Sequence, residues 1–150
     1  MYTVEEFDKE KTKVLKFVMF KKRTEQEIKR KFKSIIDENM LDDIIEELKE
    51  NGYISDENYV ERAVNEFMAI KNFSIKEIKY KLASKGISND LIEDYVSNHR
   101  EELEEYEQNS ADNIVLKKSV NMDETEIKQY LLKKGYCQDS IKEAIMKIEE

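Results

Sequence analysis

The stretch Phe73 to Val96, FSIKEIKYKLASKGISNDLIEDYV, decides how the rest of the chain is read. Ser74 with Glu77 three residues on has the form of a capping box, so a helix starts there. Ile75, Ile78 and Leu82 recur at helical spacing as its core face, while Lys76, Lys79 and Lys81 project toward solvent. Gly86 then stands where a left-handed residue closes the last turn and folds Ile87 back onto Leu82. Ser88 caps the next helix, which buries Leu91, Ile92, Tyr95 and Val96.

Shifting this stretch by 49 residues lays it over Met122 to Ile145, MDETEIKQYLLKKGYCQDSIKEAI. Ser74 meets Asp123, Ile78 meets Ile127, Leu82 meets Leu131, Gly86 meets Gly135, and Ile92 meets Ile141. A looser copy runs from Thr24 through Ile28, Phe32, Ile44, Ile45 and Leu48. The chain has only 3 glycines, and each follows the same phrase, at LKENGY, LASKGI and LLKKGY. Three Schellman-type stops are expected, pairing Leu48 with Tyr53, Leu82 with Ile87 and Leu131 with Tyr136. A period near fifty residues made of helices argues for a tandem array.

The expected fold is all-α, an elongated array of three tandem three-helix repeats, spanning residues 1–55, 56–98 and 99–150. Asp8 to Phe20 reads as a first helix with Val14, Leu15, Val18 and Met19 on one stripe. Thr24 with Glu27 starts a second, and a third covers roughly Asp37 to Asn51. Ser55 or Asp56 caps a fourth, whose apolar face is Tyr59, Val60, Ala63, Val64, Phe67 and Met68. From Asn98 to Val120 polar residues dilute the stripe of Leu103, Tyr106, Ile114, Val115 and Val120, so one long helix and a broken pair both fit. Asp123 with Glu126 starts the eighth helix, and Gln138 or Asp139 begins a ninth through Ile141, Ala144, Ile145 and Ile148.

Composition agrees: 150 residues, 40% charged and 39% apolar, with no proline and no tryptophan, suit amphipathic helices. No apolar run approaches the roughly 18 residues that span a bilayer, and Met1 to Glu10 lacks the basic-then-apolar order of a signal peptide. Cys137 alone cannot form an internal disulfide. A cytoplasmic protein with no membrane association is expected. The net charge of −8 opposes simple phosphate-driven binding unless the charges are segregated, and they are. Lysines and arginines crowd Lys9 to Lys33, whereas Asp42 to Glu50 and Arg100 to Glu107 reverse the sign.

Candidate sites follow from that segregation. Lys21, Lys22, Arg23, Lys29, Arg30 and Lys33 are the candidates for direct DNA contact, set against a reading in which they balance the acidic third helix. Lys71, Lys76, Lys79, Lys81 and Lys85 are the candidates for a partner-facing stripe, set against an ordinary solvated helix face. The tyrosines raise base stacking, but most fall on core stripes, leaving Tyr80 and Tyr130 as the exposed candidates. No catalytic constellation, metal-ligand spacing or phosphate loop is present in the sequence, and no cofactor is expected. Asp42 with Glu46 and Asp43 with Glu47 read as a solvated acidic face rather than a cation site.

Gly52-Tyr53-Ile54-Ser55-Asp56, then Tyr59, Ala63 and Val64, then Lys71, Lys76 and Lys79, then Leu82, Lys85, Gly86 and Ile87 resemble the RecX family of bacterial RecA regulators. The family's usual glycine at the start of the basic helix is Ser74 here, and its Leu-x-x-Lys-Gly phrase gives way in the first unit to Phe32-Lys33-Ser34-Ile35-Ile36. The resemblance implies a non-enzymatic modulator that docks in the groove of the RecA filament on single-stranded DNA, with single-stranded DNA as a further candidate partner. A monomer is expected. The alternatives are a helical nucleic-acid-binding module and a general helical adaptor.

Overall fold

The computed structural model describes residues 2–149, and among them every regular element is an α-helix. In chain order they are α1 (Val4–Phe20), α2 (Glu25–Phe32), α3 (Glu38–Glu50), α4 (Asp56–Ile70), α5 (Ile75–Ser84), α6 (Asn89–Asn98), α7 (Arg100–Lys118), α8 (Glu124–Lys134) and α9 (Gln138–Glu149). Met1 and Glu150, the outermost residues of the expected first and third repeats, lie outside the described residues.

Local chemistry sets the helix starts. Thr24, Ser74 and Asp123 each form a full capping box with the glutamate three residues on. Ser55 and Ser88 cap α4 and α6, and Asp37 caps α3. Helix α1 starts at Val4 rather than Asp8, because the Thr3 hydroxyl accepts from the Glu6 amide at 3.1 Å and supplies an earlier start. Where the spacing left one helix or two, α7 is one helix.

The stops are the expected ones. The amides of Tyr53, Ile87 and Tyr136 reach back to the carbonyls of Leu48, Leu82 and Leu131 at 2.9, 3.2 and 3.1 Å. Gly52, Gly86 and Gly135 take φ of 81°, 91° and 96° and donate to Lys49, Ala83 and Leu132, which completes the Schellman pattern three times.

The helices gather around three apolar clusters. Val14, Val18, Ile28, Phe32, Leu41, Ile44, Ile45 and Leu48 from α1–α3 form one. Val60, Val64, Ile78, Leu82, Ile87 and Ile92 form the second, which also takes Leu103 and Tyr106 from α7. Ala111, Ile114, Val115, Ile127, Leu131, Tyr136, Ile141 and Ile145 form the third. Three expected core residues stand outside. Met19 is 67% exposed because it lies a further 100° round α1 from Val18. Val120 is exposed because α7 ends at Lys118, and Ile148 sits in the last turn of α9, past the cluster.

Two junctions built alike tie the clusters together. At the first, the Thr24 hydroxyl donates to the Lys85 carbonyl at 2.6 Å, so the cap of α2 seats on the end of α5. At the second, Ser74 does the same to Lys134 at 2.7 Å, seating α5 on the end of α8. An acidic residue from the following first helix then takes the first helical amide: Asp56 accepts from Glu25 at 2.9 Å, and Glu107 accepts from Ile75 at 3.2 Å. An ion pair repeats as well, Lys85 to Glu27 at 3.9 Å and Lys134 to Glu77 at 3.3 Å. Each junction places the negative end of one helix dipole at the positive end of the next.

The second junction carries an extra strap. The Tyr106 hydroxyl donates to the Phe73 carbonyl at 2.7 Å, and the Ser110 hydroxyl donates to that of Lys71 at 3.0 Å and lies 2.6 Å from the Tyr136 hydroxyl. The polar residues that blur the stripe of α7 are therefore partly buried fasteners, Glu107 and Ser110 among them. Three small clusters in series expose more surface than one large one. The accessible area is 10001 Å², against about 8,000 Å² for a compact chain of this mass.

Candidate interaction surfaces

The five lysines on and beside α5 are not one stripe. A turn of 100° per residue puts Lys76 and Lys79 roughly 60° apart, and Lys81 and Lys85 roughly 40° apart on a different face. Lys76 is exposed at its head, while its stem packs where a Cβ on Gly135 would come within 2.9 Å of the Lys76 Cβ. Lys79 is half-buried and pairs with Glu93 at 3.2 Å. Lys81 is half-buried with its ammonium 4.7 Å from the Phe73 ring centroid, a cation–π geometry. Lys85 serves the first junction, and Lys71 is an exposed left-handed residue (φ 57°) that closes α4.

The N-terminal cations are arranged differently. Lys21 and Lys22 follow α1 and are exposed, as are Arg30 and Lys33 on and after α2, and Lys29 is half-buried. Arg23 sits over the Phe17 ring, its guanidinium carbon 4.3 Å from the centroid. Among the described residues, the acidic side chains of α3 pair instead with Lys11 and Lys49, through Glu47 at 3.3 Å and Glu46 at 3.5 Å.

Beside Lys21 and Lys22 the fold opens a cleft of about 600 Å³ between the end of α1 and α4. Phe20 on its rim is 86% exposed and Tyr53 is 42% exposed; Tyr59 and Arg62 come from α4. Burial pushes the Tyr59 phenol up, with Glu27 and Glu66 adding, so its hydroxyl stays protonated at neutral pH. Neither Phe20 nor Arg62 was a candidate from sequence. The available signal was the pair Met19-Phe20, too far round α1 for its stripe and followed at once by two lysines. Of the two tyrosines expected outside, Tyr80 is 76% exposed, whereas Tyr130 is half-buried with Lys118 5.0 Å from its ring centroid.

Among the described residues no group of three or more His, Cys, Asp or Glu could hold a metal ion, so the paired acids of α3 gain no third ligand. Nor is any helix among them long and apolar enough to cross a membrane.

Comparison with known proteins places this architecture. No family model matches the chain. The regulatory protein RecX of Staphylococcus carnosus is 30% identical over 139 residues, covering 90% of this chain and 52% of that protein. That of Clostridium acetobutylicum is 29% identical over 148 residues, covering 92% of this chain and 68% of that protein. The crystal structure of RecX from Lactobacillus salivarius superposes with a TM-score of 0.81 at 28% identity, over 98% of this chain and 99% of that one. The chain belongs to the RecX family. A second RecX crystal structure shares the fold at TM-score 0.79 and 23% identity. Against the RecX proteins of S. carnosus and Finegoldia magna the chain spans about half the length or less, 52% and 40%.

Proposed function

We propose that the chain binds along the RecA filament on single-stranded DNA and restrains its recombinase, ATPase and coprotease activities. It acts in the cytoplasm as a monomeric, non-catalytic regulator. The observation that carries this reading is the series of like junctions, in a chain of the RecX family, that makes a helical array rather than a closed globule. Repeats of about fifty residues, at 1–55, 56–98 and 99–150, give a long surface on which modest contacts to successive filament subunits add through effective concentration. Lys71, Lys76, Lys79, Lys81 and Lys85 serve the protein partner, and Lys21, Lys22, Arg23, Lys29, Arg30 and Lys33 the DNA.

The test is a titration of the protein into DNA-stimulated ATP hydrolysis by RecA, in which substoichiometric loss of hydrolysis is expected. Unchanged hydrolysis with direct DNA binding would move the reading to a nucleic-acid-binding module, and failure of both would leave a general adaptor. Lys76→Glu with Lys79→Glu is expected to weaken inhibition at unchanged helical content. The Lys79–Glu93 pair is solvent-exposed in part and contributes at most about 1 kcal/mol, so its loss spares the fold.

A further inference from the structure

The two junctions correspond at an offset of about fifty residues but differ in one respect. At the second, Tyr106 and Ser110 bind the carbonyls of Phe73 and Lys71 and close the space over the exit of α4. At the first, the corresponding positions are Ser55, whose hydroxyl is used to cap α4 by accepting from Asn58 at 3.2 Å, and Tyr59. The exit of α1 at Lys21 and Lys22 is left unstrapped beside the 600 Å³ cleft. Among the described residues neither lysine has a carboxylate within ion-pair distance.

An open cleft does little for a buried apolar anchor, which needs water excluded on every side. It suits a flat ring that stacks on one face and keeps the other wet. Phe20 and Tyr53 offer such faces at the rim, and Lys21, Lys22 and Arg62 stand beside them as cations for a backbone of phosphates. Glu66 is the one carboxylate among the lining residues, and Arg62 answers it at 3.7 Å. We propose that this cleft is a subsite for single-stranded nucleic acid, with bases stacked on Phe20 and Tyr53 and phosphates held by Lys21, Lys22 and Arg62. It deepens the DNA part of the function proposed above and rests on it.

The test is fluorescence anisotropy of a short fluorescein-labelled oligothymidylate with the full chain, followed through a salt titration. Phe20→Ser and Tyr53→Ser are each expected to weaken binding at least about fivefold. Lys21→Ser with Lys22→Ser should lower the slope of log K against log salt by about 1.4, from two phosphate contacts. Tyr80→Ser, which removes an exposed ring outside the cleft, should leave affinity unchanged. Cleft variants that bind like the parent, or an unaltered slope, would overturn the subsite while leaving DNA binding in place. No binding by the parent chain would overturn both, and inhibition of RecA hydrolysis, measured separately, would still decide the regulatory reading.

Discussion

At Gly86 a methyl group would come within 2.3 Å of the Gln26 Cβ across the first junction, whereas at Gly52 it would meet nothing within 4 Å. Both residues are left-handed, so alanine at either costs about 1–2 kcal/mol for the conformation alone. Gly52→Ala should stop there, and Gly86→Ala should add the about 1–3 kcal/mol typical of overpacking. Gly135→Ala belongs between them, since the atoms it would press include the stem of Lys76 at 2.9 Å. Urea unfolding of the three variants checks the order. At this scale the sequence is transparent about conformation and silent about neighbours. Three glycines in one recurring phrase announce three left-handed stops, but nothing in LKENGY or LASKGI tells that one glycine faces solvent and the other a second helix. For the same reason Tyr53, expected to fold back on Leu48, can make that turn while staying 42% exposed.

A junction is held by few groups, and Ser74 serves twice. Its hydroxyl accepts from the Glu77 amide at 3.0 Å while donating to the Lys134 carbonyl at 2.7 Å. Ser74→Ala should therefore cost about 1 kcal/mol for the cap and about 1 to 3 more for the stranded carbonyl. Ser88→Ala, which removes only a cap, should cost about 1 kcal/mol, and urea unfolding of the two variants side by side checks the difference. Glu107 adds a pH dependence. Burial is the largest influence on it and raises its pKa, opposed by the bond from the Ile75 amide. A carboxyl whose folded pKa is raised gives stability that is present below its unfolded pKa and is lost as pH rises through the folded one. Glu107→Gln should flatten the stability profile above the ordinary glutamate range, and Asp56, raised chiefly by burial as well, should leave a trend of the same sign. The helices themselves were legible because caps and stops are written in adjacent residues. Helix α7 was not, because Glu107 and Ser110 are polar and buried at once, and only partners 32 and 39 residues away explain them.

For the molecule as a whole, three clusters in series predict a solution radius of gyration above the roughly 15 Å of a compact chain of this length, which small-angle scattering measures directly. The repeat was readable because an offset of 49 survives in the sequence. The junctions were not, because each joins residues sixty or so apart through a hydroxyl and a main-chain carbonyl that no pattern marks. One residue in that series breaks the rule. Thr24 and Ser74 carry hydroxyls, whereas the third cap is Asp123, exposed and accepting from Glu126. An ionised carboxylate has no proton to give, so it repels the electron-rich tip of another helix instead of latching it. The entrance of α8 thus lacks the hydroxyl that fastens its two counterparts to a neighbouring helix end, and offers lone pairs where they offer a proton.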